Sequence, residues 1–178
     1  VIVLGVDAAL NKSGLAICRD DVIVWTSVCR VPVKLPLPAK LQLLYDAAQM
    51  ALNADIRDPD IPTATLVLIE SPGAWARGSP RSKQSTVEAL AQSRAAVHLA
   101  ANGADCRSEE IDVNEARWLI IGKVSGGPGR YLTKELVRHL LEQRGVDPDL
   151  IKDPDAADAA VIALAGWSLW KAGHYVGV

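Results

Sequence analysis

Four carboxylates in this 178-residue chain occupy positions where an acid demands an explanation. Asp7 ends the apolar run Val1 to Val6, and Glu70 ends Leu66-Val67-Leu68-Ile69, ahead of a Pro72-Gly73 turn. An unbroken branched apolar run reads as a strand covered on both faces, and a charge at its end is costly unless solvated or paired. Asp155 and Asp158 are three apart, so they project from one face of a helix's first turn. Acids there favour the helix dipole by roughly 0.3 to 1 kcal/mol each, which accounts for Asp155 and Asp158 taken alone. It does not account for Asp7 and Glu70.

Two strand-end acids and a helical pair can converge, and converging anions need a cation among them. Hard divalent ions take oxygen ligands, and Mg²⁺ binds through a few carboxylates while keeping waters and substrate phosphates, with Mn²⁺ able to substitute. Two such ions about 3.5 to 4 Å apart activate a water and stabilise a leaving oxygen in phosphodiester cleavage. Zinc suits the chain poorly, because no histidine or cysteine cluster is present. The expected chemistry is therefore metal-dependent hydrolysis of nucleic acid.

The elements that would position these acids follow from the patterning. Val1 to Val6, Leu15 to Cys18 and Val22 to Val28 read as strands, with Asn11-Lys12-Ser13-Gly14 as turn chemistry between the first two. Three prolines between Val31 and Pro38 bar regular structure, and Pro38 suits the first turn of a helix running to about Asn53. That helix, a turn-rich Ile56 to Thr63 and the strand Leu66 to Ile69 form a crossover into a parallel neighbour. Ser71 to Lys83 reads as loop. Ser85-x-x-Glu88 is a capping box for an alanine-rich helix, Val87 to Asn102, suited equally to core packing and to dimer contact. Cys106 to Val113 is a weak strand, Asn114 to Trp118 one helical turn, and Ser125 to Gly129 a loop. Thr133 caps a helix to about Arg144, in which His139 lies off the apolar stripe as a surface side chain. Asp153 and Pro154 start a final, almost wholly apolar helix in which Trp167 and Trp170 read as core or dimer-contact residues. The pattern predicts one domain over residues 1–178, with a mixed sheet flanked by helices.

The net charge of -2 argues against a chain basic throughout, yet two stretches carry cations without acids. Arg77, Arg81 and Lys83 lie in one; Arg117, Lys123, Arg130 and Lys134 lie in the other. Cys18, Cys29 and Cys106 are odd in number and lack metal-ligand spacing, so packed, reduced thiols are expected. There is no apolar run long enough to span a membrane, and the start reads as lacking an initiator methionine rather than as a signal peptide. The expectation is a soluble, intracellular protein.

Gly5-Val6-Asp7 with Lys12-Ser13-Gly14, then Ile69-Glu70, then Asp155-Ala156-Ala157-Asp158-Ala159 together resemble the RuvC family of Holliday-junction resolvases, within the ribonuclease H-like superfamily. The resemblance spans essentially the whole chain, and the last motif is its most specific part. It implies a ribonuclease H-like fold, an α/β architecture with a five-stranded mixed sheet flanked by helices, in a homodimer that cuts four-way DNA junctions symmetrically. It places a catalytic, metal-binding tetrad on Asp7, Glu70, Asp155 and Asp158, with two ions per site. Arg117 and Lys134 resemble the family's basic positions, which makes the acid-free stretch around them a candidate phosphate-contacting face. Trp75, five residues past Glu70, is the candidate for stacking on an opened base in a chain without phenylalanine. Asp7 is followed by Ala8-Ala9 where the family commonly has Pro-Gly. A bacterial or phage-infected cytoplasm is the implied setting, and no motif specifies a branch-migration helicase partner.

Three other readings compete. One is a relaxed branched-DNA nuclease of the same family. Another is an actin-like ATPase, whose first phosphate loop also runs strand, Gly-x-Asp, Gly; the Gly126 to Gly129 cluster does not follow a Val-Asp strand end as a second phosphate hairpin would. The third is a catalytically silent junction-binding protein, for which holding four acids together serves no purpose.

Overall fold

The computed structural model describes residues 1–54, 66–71, 84–122 and 133–175. Its centre is a five-stranded mixed sheet. Strands β1 (Ile2–Asp7), β2 (Lys12–Arg19) and β3 (Val22–Arg30) form an antiparallel meander, and β4 (Leu66–Ser71) and β5 (Arg107–Asp112) continue it in parallel beyond β1, giving the order β3-β2-β1-β4-β5. Helix α1 (Leu37–Ala54) precedes β4, and α2 (Gln84–Gly103) lies between β4 and β5. Helices α3 (Val113–Ile121), α4 (Lys134–Gln143) and α5 (Pro154–Lys171) follow β5 among the described residues.

Strand alternation sorts the side chains into two cores. Leu4, Val6, Leu15, Ile17, Val67 and Ile69 face α1 and α2. Val3, Ala16, Cys18, Leu66 and Leu68 face α5. Asp7 shares the parity of Val3, and Glu70 that of Leu66 and Leu68, so both acids are directed to the side of the sheet that carries α5. The parallel register pairs Val6 with Ile69, which sets Asp7 and Glu70 side by side at the same end of adjacent strands.

α5 crosses this face as a helix buried on every side from Ala156 to Gly166. Its alanines permit close approach, and Gly14 completes the fit. A Cβ at Gly14 would overlap the Asp155 carbonyl group and stand 3.1 Å from the Ala156 nitrogen. Gly14 is also the β2 partner of Asp7, so one bare backbone position brings the first turn of α5 against the end of β1. The expected turn at Asn11 to Gly14 is thereby corrected: β2 already begins at Lys12, and Gly14 serves close approach within the strand rather than chain reversal.

Two helices differ from expectation. Asn114 to Trp118 is not a single turn but part of the nine-residue α3, started by Asp112, whose side chain accepts from the Asn114 and Glu115 amides. α2 begins at Gln84 rather than Val87, and its alanines pack against α1, with Gln49 donating to the Ala100 carbonyl at 2.6 Å. The expected caps hold at α4, where Thr133 accepts from Leu136, and at α5, where Asp153 accepts from Asp155. Cys18 and Cys106 are buried and Cys29 half-buried, and none forms a disulfide. Among the described residues no helix is long and apolar enough to cross a membrane.

Candidate active site

At the exit of β1 the chain turns through Ala8-Ala9, and Ser13 supplies the closure. Its buried hydroxyl donates to the Ala9 carbonyl at 2.6 Å and accepts from the Ala9 amide at 3.0 Å. The loop is thus tied to β2 and Asp7 is held at the rim of the sheet, 9 % exposed.

All four acids meet there. Asp7 hydrogen-bonds Glu70, and burial, that bond and the negative charges of Glu70 and Asp158 together push its carboxyl up to about 9 despite the opposing field of Lys134. Crowding by neighbouring carboxyls thus favours the protonated form of Asp7 at neutral pH. Asp155 and Asp158 approach from the first turn of α5, where the helix dipole also favours negative charge.

The cation among them belongs to the protein. Lys134, the first residue of α4, bonds Asp155 Oδ1 and places Nζ 3.2 Å from Asp158 Oδ2 and 3.9 Å from Asp7 Oδ2. Burial works against the charge of Lys134, yet the Asp155 hydrogen bond and the fields of Asp158 and Asp7 outweigh it and raise its pKa. Asp158, 3 % exposed, is held from the other side by Arg117, whose Nη2 and Nε reach Oδ1 at 2.6 and 3.2 Å. Arg117 is itself only 8 % exposed. Arg117 lies on the buried side of α3 with Ala116 and Ile120, and its guanidinium is directed at the acid.

A second ring of charge lies beside the first. Lys12 Nζ is 2.8 Å from both Asp153 Oδ1 and Asp155 Oδ2, and Arg30 Nη2 is 2.6 Å from Asp153 Oδ2. Burial alone would raise the Asp153 and Asp155 carboxyls, but the lysine hydrogen bonds prevail and hold both below the ordinary aspartate value. Lys12 stands in the Lys12-Ser13-Gly14 motif with no local sign of a place in the site, and no motif marks Arg30. The available signal was parity: Lys12 and Gly14 share a strand face, so a residue covering Gly14 also meets Lys12. An open cleft lined by Ala9 to Lys12 and by Thr86, Ala89 and Leu90 of α2 borders this ring through Lys12.

As the side chains stand, no three of the described His, Cys, Asp and Glu residues form a ready metal cage. The oxygen set is nevertheless suited to a hard divalent ion, because Asp7, Asp155 and Asp158 converge on a position that a cation already occupies, with Glu70 hydrogen-bonded to Asp7 beside them.

No family model matches the chain, and neither does any curated protein. Solved structures do. Thermus thermophilus RuvC superposes with a TM-score of 0.70 at 17% sequence identity, covering 97% of each chain. The same protein in complex with a Holliday junction substrate gives 0.70 at 16%, covering 97% of this chain and 96% of that one. The fold is that of RuvC. The yeast mitochondrial Holliday junction resolvase Ydc2 gives 0.58 at 13% identity, covering 97% of this chain and 80% of its own. The ribonuclease H-like architecture expected from the motifs is thus the observed one.

On this RuvC fold the expected nucleic-acid contacts divide in two. Lys134 is 43 % exposed at its side chain and Arg117 is enclosed. Trp75, Arg77, Arg81, Lys83, Lys123 and Arg130 lie outside the described residues.

Proposed function

We propose that the protein is a divalent-metal-dependent, structure-selective DNA endonuclease that resolves four-way junctions by paired phosphodiester hydrolysis. The observation that carries this reading is the convergence of Asp7, from a strand end it shares with the neighbouring Glu70, with Asp155 and Asp158 of α5 around one cation position. The likeness to a RuvC structure bound to a Holliday junction substrate supports the choice of DNA geometry.

In this reading Asp7, Glu70, Asp155 and Asp158 hold two Mg²⁺ ions, or Mn²⁺ in their place. Such ions supply a water acidified towards neutrality and charge stabilisation at the leaving oxygen. The chain's own residues do the remainder. Arg117 fixes Asp158 through one oxygen and leaves Oδ2 directed at the cluster. Lys12 and Arg30 hold Asp153, the cap of α5, and so fix the orientation of the turn that carries the two aspartates. Ser13 keeps the Ala8-Ala9 turn closed, so that Asp7 stays at the sheet rim next to Glu70. Lys134, with the basic residues Arg77, Arg81, Lys83, Lys123 and Arg130, contributes phosphate contacts, and Trp75 stacks on an opened base. Paired cuts require two sites, so a homodimer is part of the proposal, as is residence in the cytoplasm of a bacterium or a phage-infected host.

The direct test is incubation with labelled four-way junction, Y-form and linear duplex in Mg²⁺, Mn²⁺ or EDTA. Symmetric nicks in the junction alone, dependent on metal, are the expected result. Comparable cutting of the Y-form would favour the relaxed branched-DNA nuclease, and no cutting of any branched substrate in either metal would overturn the reading.

A further inference from the structure

We infer that Lys134 is a built-in substitute for the metal ions, occupying the carboxylate cluster of the metal-free protein and leaving it when divalent ions load. The inference rests on the metal-site reading above. It begins with the positions of three oxygen atoms: Asp155 Oδ1, Asp158 Oδ2 and Asp7 Oδ2 all turn to the single nitrogen of Lys134. They come from two different parts of the fold, a strand end and a helix start, so their common focus is a property of the site.

A divalent ion sits about 2.0 to 2.1 Å from its oxygen ligands if it is Mg²⁺. An ion held by these oxygens would compete for the space of Nζ and would repel the ammonium at contact distance. The two occupants exclude one another. The remaining cations are placed differently. Arg117 binds the outer oxygen of Asp158, and Lys12 binds the oxygen of Asp155 that Lys134 does not use. Both can stay while Lys134 goes.

Its departure is structurally easy. Lys134 stands at the first position of α4, its side chain is partly exposed, and its backbone is fixed independently by the Thr133 cap and by Val137 and Leu141 in the core. The fold therefore need not change when the side chain swings out. Once out, the partly exposed ammonium would be able to pair with a phosphate of the DNA backbone. Metal loading would in this way convert an internal counter-ion into a substrate contact.

Calorimetric titration of the wild type, Lys134→Gln and Lys134→Arg with Ca²⁺ tests this without any catalytic turnover. Loss of the competing charge should tighten Ca²⁺ binding in Lys134→Gln by about tenfold, equivalent to one modest ion-pair contribution. Lys134→Arg, which keeps a cation, should bind near the wild-type affinity. In EDTA, Lys134→Gln should melt below the wild type, and saturating Ca²⁺ should raise its Tm by the larger amount. Equal or weaker Ca²⁺ binding by Lys134→Gln would overturn the substitute role while leaving the metal site standing. No binding by the wild type would overturn both.

A second measurement needs no variant. Acetylation of the wild-type lysines, followed by mass spectrometry, should find Lys134 several-fold more reactive with Ca²⁺ than with EDTA, using exposed Lys152 as the internal reference. An unchanged Lys134 rate in protein that demonstrably binds Ca²⁺ would refute its displacement.

Discussion

The backbone of Gly14 lies directly against the carbonyl of Asp155, with no room for even a methyl group between them. Gly14→Ala should therefore push the start of α5 away from β1, at a stability cost of about 1 to 3 kcal/mol, typical of forced overpacking. Urea denaturation measures that cost. Because Asp155 moves with the helix start, Ca²⁺ affinity should fall in the folded variant as well. A variant as stable as the wild type would show that the strand and helix are not in register through this contact.

Asp7→Asn and Glu70→Gln keep size and remove charge from the adjoining strand ends. Each should lower four-way junction cleavage by at least about a hundredfold, the order expected when a group stabilising the reacting centre is lost. Junction binding, measured by gel shift in Ca²⁺, should persist. Residual cleavage with lost binding would move these acids from the reaction to DNA contact.

Arg117 and Asp158 form an enclosed pair, and a buried charge stripped of its partner is strongly destabilising. Arg117→Met should cost about 3 to 5 kcal/mol in chemical denaturation. Adding Asp158→Leu should recover much of that stability without restoring cleavage. A mild effect of Arg117→Met would indicate that Lys134 alone suffices to hold Asp158.

The metal-free protein should show opposing pH dependences. Asp153 and Asp155, held below the ordinary aspartate value, contribute stability above the unfolded pKa of 3.8 that is lost as the solution is acidified through their folded values. Asp7 works in the other direction. With a folded value raised to about 9, its proton favours the folded state at low pH, and that contribution drains away between 3.8 and about 9. In EDTA, Tm should therefore peak at mildly acidic pH and decline towards alkaline pH. Divalent ions should flatten the alkaline limb, since binding them takes the place of the proton. A Tm that climbs steadily from roughly pH 5 to pH 9 in EDTA would contradict the proton held at Asp7.

What could be read from the sequence was whatever local pattern dictates. Buried apolar runs ending in Asp7 and Glu70 announced strands, and Asp153-Pro154 announced the start of α5, so the four acids were identifiable before their geometry was known. β5 was faint because it is an edge strand: its exposed acids pair sideways, Glu109 with Arg107 and Glu110 with Arg94, and only Ile111 of the strand is buried. Charged edges discourage pairing with other chains, and they also obscure the strand signal. Gly14 looked like a turn residue because the helix that crosses it lies more than a hundred positions away. The inward turn of Arg117 and the central place of Lys134 were equally hidden, since the field of four assembled acids selects those positions and no local spacing encodes it.

The enclosure of α5 has a consequence for how firmly the site is held. Amides from Ala156 to Gly166 exchange with solvent water only when the fold opens cooperatively, so the two aspartates ride close to what should be the slowest-exchanging segment of the chain. Lys134, Lys12 and Arg30 reach the same acids from partly exposed positions outside that helix. The acids of α5 are then as durable as the fold itself, while the exposed cations around them can exchange partners without the fold opening.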